Sequence, residues 1–370
     1  MTVWNTVELR NLCSRLSSGK NIAAKDISGI GPYPVYGGNG IRGYTDTYNF
    51  DGECAIIGRQ GAKCGNVRYF KGRAYMTEHA VVTCANDENN TRFLAYLLGT
   101  MQLGRLSGQS AQPGLSVKTL GIQEVNVPDL LTQRQISCLL GEFDDLIEHN
   151  KVVNKNLEGQ AQALYDNLFT NVSFDATLAD LGTVVGGSTP SKKHPEYYTD
   201  QGIAWITPKD LSNDSSKFIY HGENDITELG LSKCSATVMP TGTVLFSSRA
   251  PIGYIAVAAN PVATNQGFKS VIPNKDIGTA FIYYFLKNNL TLIESMASGS
   301  TFKEISASVM KNVSAFIPIQ DKLNIFRDFC NPLFTYQQKL EMENNRLSNL
   351  RNTLLPRLMS GDIDVSNIEV

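Results

Sequence analysis

Two arginines carry the first chemical suggestion. Arg59 sits in Cys54-Ala-Ile-Ile-Gly-Arg-Gln-Gly-Ala-Lys-Cys-Gly65, and Arg249 in Thr243-Val-Leu-Phe-Ser-Ser-Arg-Ala-Pro-Ile-Gly253. Each follows one β-type run and precedes another (Asn66 to Phe70; Tyr254 to Val257), which predicts a turn tip. A guanidinium there can fork two hydrogen bonds to a guanine edge or grip a phosphate. It can equally salt-bridge its own domain and order the turn, and spacing leaves both readings open. A second candidate is Gly186-Gly-Ser-Thr-Pro-Ser-Lys-Lys-His-Pro195, which offers hydroxyls and ammonium groups to phosphates or is simply a solvated loop. It lacks the spacing of a Walker A loop. A third is Ala297-Ser-Gly-Ser-Thr-Phe-Lys-Glu-Ile305, with Ser107-Gly-Gln-Ser-Ala-Gln-Pro-Gly-Leu115 as its counterpart. Their Gln, Ser and Thr side chains suit base edges, and a helix N-cap at Ser300 or Thr301 is compatible with that.

Catalytic patterns are missing. There is no Gly-x-Gly-x-x-Gly, no Asp/Asn-Pro-Pro-aromatic amino-methylating motif and no His-Glu-x-x-His. The four histidines are scattered, and Thr77-Glu-His-Ala80 is matched by Thr264-Asn-Gln-Gly267, without a His. The seven cysteines form no zinc spacing, so free buried thiols in a reducing cytoplasm are expected, and no metal site. With 42% hydrophobic and 18% charged residues the chain is globular, and 370 residues suit two domains. A net charge of −2 argues against a protein that wraps nucleic acid unaided. No run of 18 apolar residues predicts a membrane span, and Met-Thr-Val-Trp-Asn-Thr-Val-Glu is not expected to be a secretory signal.

The elements that would hold these residues occur twice. Arg249 and Arg59 are 249 − 59 = 190 apart, and Pro318 and Leu347 stand at the same offset from Pro128 and Leu157. Leu178 and Leu181 follow Leu9 and Leu12 by 169, so the second copy should hold about 21 extra residues, expected within 190–235. Two long helical patterns follow the mixed segments. Spacing of alternately 4 and 3 selects Ile136, Leu140, Phe143, Ile147, Asn150, Asn154, Leu157, Ala161, Leu164 and Leu168. Adding 190 gives Phe326, Cys330, Leu333, Gln337, Leu340, Asn344, Leu347, Arg351, Leu354 and Leu358. This period predicts an antiparallel coiled coil with polar residues at its middle that fix register. From Ile136 to Leu168 such a helix spans roughly 50 Å, at about 1.5 Å per residue. The expected fold is α+β: two globular mixed α/β domains with two long antiparallel helices and an internal pseudo-twofold repeat. The expected boundaries are 1–130 and 171–317 for the mixed domains, 131–170 and 318–360 for the spacer helices, and 361–370 for a tail.

The chain resembles the specificity subunit of type I restriction–modification enzymes. The blocks that carry the likeness in the second half are Gly186 to Tyr198, Ile206-Thr-Pro-Lys-Asp-Leu211, Ser247 to Gly253, Thr264-Asn-Gln-Gly-Phe268 and Ala297 to Lys303. In the first half they are Tyr33-Pro-Val-Tyr-Gly-Gly-Asn-Gly40, Gly58 to Gly65 and Thr77-Glu-His-Ala80, which look like a different recognition-domain subgroup, and Leu354 to Gly361 fits at the end. The resemblance implies two target recognition domains, each reading one half of an asymmetric split site in double-stranded DNA. It implies Arg59, Gln60, Lys63, Gln109 and Ser110 as DNA contacts in the first domain. In the second it implies Thr189, Ser191, Lys192, Lys193, Ser247, Ser248, Arg249, Ser300, Thr301 and Lys303. Ile136, Leu140, Phe143, Ile147, Leu157, Leu164, Phe326, Leu333, Leu340, Leu347 and Leu354 would pack the helices and dock two methyltransferase subunits, with restriction (motor-nuclease) subunits as further partners. S-adenosylmethionine would be carried by the methyltransferase, and this chain would catalyse nothing. The competing expectation is a tandem protein-binding scaffold with no DNA role.

Overall fold

The computed structural model describes residues 3–61, 63–107, 114–170, 172–214, 216–299 and 303–368. The chain divides into two compact units, Met1–Glu148 with Asn345–Val370, and His149–Asn344. Two 40-residue helices, Leu130–Phe169 and Gln320–Met359, contribute to both. Among the described residues no helix is long and apolar enough to cross a membrane.

In the first unit β1 (Asn5–Glu8) pairs with β8 (Glu124–Val127). Between them come β2 (Cys13–Ser18), β3 (Tyr33–Gly37), β4 (Gly40–Thr45), β5 (Phe50–Gly58), β6 (Val67–Met76) and β7 (Ala80–Ala85). These six form one sheet in the order β2-β7-β5-β6-β3-β4, antiparallel except where β3 meets β6. Cys54–Gly58 is buried throughout because successive side chains of this central strand face opposite ways. Ala55 and Ile57 join the core under helix Thr91–Thr100, while Cys54 and Ile56 pack with Phe50, Met76 and Val82. That helix is capped by Asn90, whose side chain accepts from the Phe93 N–H at 2.8 Å.

In the second unit the strands are β9 (Ala176–Thr177), β10 (Gly182–Gly186), β11 (Tyr198–Thr199), β12 (Ala204–Ile206), β13 (Phe218–Ile219) and β14 (Asp225–Ile226). They continue with β15 (Val244–Ser248), β16 (Ile252–Ala258), β17 (Val262–Thr264), β18 (Lys269–Pro273) and β19 (Ser314–Ala315). The main sheet runs β10-β18-β15-β16-β13, and β12 pairs in parallel with β17. The two-sided burial recurs: Val244 and Phe246 face helix Thr279–Asn288, and Leu245 faces a second cluster with Ile206 and Phe268.

Backbone hydrogen bonds define the frame the copies share. Thr77 N–H donates to Tyr36 O at 2.9 Å, and Asn265 N–H to Ile206 O at 3.0 Å, which equates β3 with β12. After this point the copies part. The first turns straight back through Gly37–Gly40 into β4, whereas the second enters helix Pro208–Asn213, closed by a capping box between Thr207 and Asp210. The offset is 206 − 36 = 170 at Ile206, and the ladders equate Val244 with Ala55, 244 − 55 = 189. Nineteen of the extra residues therefore lie between Ile206 and Val244, a narrower interval than the expected 190–235.

Within each unit the long helices run antiparallel. In the first, Arg351 pairs with Asp144, and Ile136 and Leu140 share a core with Leu354, Leu355 and Leu358. In the second, Asn150 Nδ2 donates to Asn344 Oδ1 and Glu343 Oε2, both at 3.0 Å, and Gln337 donates to Asn154 O at 3.2 Å. All twenty positions of the 4–3 register are buried or half-buried. Toward the second unit's sheet the buried face widens, because helix Thr279–Asn288 also packs there. Tyr165, Phe169 and Phe334 are buried there, while Leu164, Leu168 and Leu333 are only half-buried. The helix Gln320–Met359 passes through Pro332 and Pro356, both on its exposed side. Lys217, 7% exposed at its side chain, lies between Glu158 and Gln337 and over the ring of Phe334 at 4.3 Å. Burial pulls the Lys217 pKa down. Burial also opposes the charge of Glu158, yet Lys217 and Lys287 hold its carboxyl below the usual range.

The C-terminal residues close onto the first unit. Leu358 and Val365 join its core, and Gln135 Nε2 donates to Ile368 O at 2.9 Å.

Candidate nucleic-acid interface

In the second unit, four segments meet beside the ends of β12, β15 and β17 around a cleft of about 680 Å³. Thr189 and Lys192 line it from the loop after β10, Lys209 from the capped helix, Arg249 from the turn after β15, and Asn265 and Gln266 from the turn after β17. Gly187 permits the closest approach: a Cβ there would lie 2.1 Å from Asn265 O. The oxygens of Asp210 are engaged within the domain, accepting from Thr207 N–H at 2.7 Å and Glu223 N–H at 2.9 Å. The turn that bears Gln266 is tied at both ends. Asn265 Oδ1 accepts from Gly267 N–H at 2.8 Å, and Gly267 O accepts from Ser248 N–H at 2.7 Å. Thr189 Oγ1 donates to Gln266 Oε1.

Arg249 stands at the rim, 3.5 Å from Glu304 Oε2, whose other oxygen is 3.6 Å from Lys269 Nζ. An ion pair this long and this exposed is worth about 0–1 kcal/mol and does not lock the guanidinium away. Ser247 and Ser248, expected as DNA contacts, are both fully buried. Ser247 Oγ accepts from Tyr254 N–H at 2.8 Å and donates to Pro251 O at 2.9 Å; Ser248 Oγ donates to Gly267 O at 3.1 Å. Ser247 closes the turn that presents Arg249, and Ser248 ties that turn to the one that bears Gln266. Ser191, Lys193 and Lys303 are exposed but do not line the cleft. Ser300 and Thr301 lie outside the described residues.

In the first unit the corresponding end of the sheet is built differently. The tight turn Gly37–Gly40 packs on the turn after β5, and a Cβ at Gly58 would fall 2.4 Å from Gly38 O. Arg68 Nη2 donates to Asn39 O at 3.1 Å, and Arg42 lies beside Gly37. Gln60 and Lys63 are exposed, and His79 Nε2 is 3.1 Å from Glu78 Oε1. Gln109 and Ser110 lie outside the described residues. Arg59 is half-buried, with Nη1 3.3 Å from Ser18 Oγ.

The ladder register corrects the expected equivalence of the two arginines. Arg59 N–H donates to His79 O, as Ser248 N–H does to Gly267 O. Arg59 O accepts from Leu115 N–H, as Ser248 O does from Ile305 N–H. Gln60 bridges to Gly114 as Arg249 bridges to Glu304. Arg59 thus matches buried Ser248, and the residue that matches Arg249 is Gln60. By the same ladders Glu78 matches Gln266, 266 − 78 = 188.

The sequence reading missed Lys209, Asn265 and Gln266 in one unit and Arg42 and Arg68 in the other. The first three lie inside blocks that carried the resemblance, at the ends of apolar β-runs, and strand ends were the available signal. Among the described residues no group of His, Cys, Asp or Glu is arranged to hold a metal ion. All seven cysteines are free, Cys54 and Cys330 buried, and burial pushes both of these thiols up to about 12.

Comparison with known proteins adds relatives to this geometry. The profile of the Type I restriction modification DNA specificity domain matches residues 1–159 and 175–346. A type I restriction enzyme specificity subunit of Methanocaldococcus jannaschii is 44% identical over 143 residues, 38% of this chain and 33% of the relative. The chain thus matches only about a third of that relative's length. The specificity subunit of the Haemophilus influenzae type I enzyme HindI is 24% identical across 68% of this chain and 71% of its own. The crystal structure of a type I S subunit from M. genitalium superposes with a TM-score of 0.61 at 17% identity, over 96% of each chain, a likeness of fold.

Proposed function

This chain belongs to the type I restriction–modification DNA specificity family, and from that premise we propose that its two units read the two halves of one split site in double-stranded DNA. The relatives are specificity subunits, which supports a role in recognition. The observation that carries the reading is one repeated strand frame with two unlike sets of polar side chains at the same end. Arg, Lys, Asn and Gln at such turns are the groups that position on phosphates and read base edges. Since Gln60 and Glu78 stand where Arg249 and Gln266 stand in the other unit, the half-sites are unlike.

The long helices set the spacing of the half-sites and dock two methyltransferase subunits. Supporting this, Leu146 on the first helix and Tyr336 on the second are 40% and 49% exposed and 336 − 146 = 190 apart, the repeat offset. Equivalent exposed apolar groups on both copies fit two like partners. Each methyltransferase subunit carries S-adenosylmethionine and methylates adenine.

The test is a methylation map of host DNA after co-expression of this chain with its methyltransferase. A split motif with two unlike halves and a fixed gap, absent without this chain, is expected. Identical halves, or no new methylation from a well-formed complex, would defeat the reading.

A further inference from the structure

We propose that two backbone positions shared by the units carry the base specificity, and that in the second unit Arg249 reads a guanine and Gln266 an adenine. The inference rests on the DNA-reading role above and names its determinants. Both side chains line the 680 Å³ cleft, and both are carried by turns whose backbones are hydrogen-bonded to each other through Ser248 and Gly267. Such turns present their side chains pre-ordered, which lowers the entropy lost on binding.

The chemistry of Gln266 is set by its neighbour. Thr189 donates to its Oε1, so the amide has one outward face: Nε2 with both hydrogens, and Oε1 with its second lone pair. A donor beside an acceptor at that spacing complements N7 and N6–H of adenine. Arg249 has donors only, and a fork of two complements O6 and N7 of guanine. Its contact to Glu304, at 3.5 Å, leaves the fork partly exposed. Lys192 and Lys209 on the walls of the cleft supply phosphate contacts, which hold the duplex in place without choosing its sequence. In the first unit the same two positions hold Gln60 and Glu78, one amide and one carboxylate. The domains thus differ in what they read through the identity of the two side chains at these shared ladder positions.

The experiment uses the purified complex of this chain with its methyltransferase, on duplexes containing the mapped site. Each purine of the site is replaced in turn by its 7-deaza analogue, which removes the N7 acceptor alone. The wild-type complex is expected to lose about tenfold in affinity at one adenine and at one guanine of one half-site. Gln266→Ala should abolish the sensitivity at that adenine only, and Arg249→Ala at that guanine only. Sensitivities that survive in both variants, or variants that weaken every duplex equally, would overturn the assignment. If Gln266→Ala yields no folded complex, Gln266→Glu takes its place with the same two outcomes. It keeps the side-chain length and replaces the donor by an acceptor. A wild-type complex that methylates no split motif would instead defeat the underlying role, so the two failures are separable.

Discussion

At the scale of single residues, the interface depends as much on buried hydroxyls as on exposed cations. Ser248 holds Gly267 through its N–H and its Oγ, so it couples the two turns that bear Arg249 and Gln266. Ser248→Ala leaves a buried carbonyl with one donor fewer and is expected to destabilise the second unit by about 1 kcal/mol, measurable by chemical denaturation. Arg249→Ala should leave stability unchanged and weaken binding of the cognate duplex by about 1–3 kcal/mol in a titration. The residue types that would sit at the tip were legible in the sequence; the register was not. A one-residue slip reverses which side chains point inward, and motif alignment made that slip when it equated Arg59 with Arg249. Ser247 and Ser248 have a different cause: β15 is buried on both faces, so both serines continue its buried run and do not leave it. Gln266 escaped notice for another reason: its partner Thr189 lies 77 residues away, and only the parallel pairing of β12 with β17 and the bond from Ser188 N–H to Thr264 O bring the segments together.

At the scale of elements, the long helices were the most legible part. A sustained 3.5-residue period has one plain physical meaning, a narrow apolar seam, and each of its twenty positions is withdrawn from solvent. The period could not show where the seam broadens into a domain core, and so Tyr165, Phe169 and Phe334 were not singled out. Leu140 is fully buried in the first unit. Leu140→Asp buries a charge without a partner and is expected to unfold that unit at ambient temperature, seen as loss of its cooperative transition. In the second unit Glu158→Gln strands the Lys217 ammonium and should cost about 3–5 kcal/mol by denaturant titration. Glu158 is held below its ordinary carboxylate value of 4.5. Its contribution is therefore present above that pH and is lost as acid drives the pH down through the lowered value. The stability of wild type should fall on acidification below about pH 4.5 more steeply than that of Glu158→Gln.

At the scale of the whole chain, duplication with divergence is the governing fact. Ladder positions kept their partners while the residues between Ile206 and Val244 were added on one copy only. The extra segment brings its own core, since Leu211, Ile219 and Met239 pack with Ile206 and Phe268. A chimera that carries Gln60→Arg and Glu78→Gln is expected to shift the first half-site at the corresponding base pairs and leave the second half unchanged. A methylation map of the chimera reads this directly, and an unaltered first half would show that neighbouring loops dominate the reading. The copy number and order of the elements could be read from the sequence. The place of the last ten residues could not, because Val365 joins the first unit's core and Ile368 O accepts from Gln135 only through tertiary packing.

That closure sets an order of assembly. The first unit needs residues Asn345 onward to complete its core, yet everything between Glu148 and that point belongs to the second unit. On the ribosome, the domain that emerges first is therefore finished last. It waits through the synthesis of 196 residues (344 − 148) with its strands all made but its core lacking Leu358 and Val365. At roughly 5–20 residues per second that interval is about 10–40 s. During those seconds nascent-chain chaperones would have their longest hold on this protein, and a translation pause just after the second unit would prolong it.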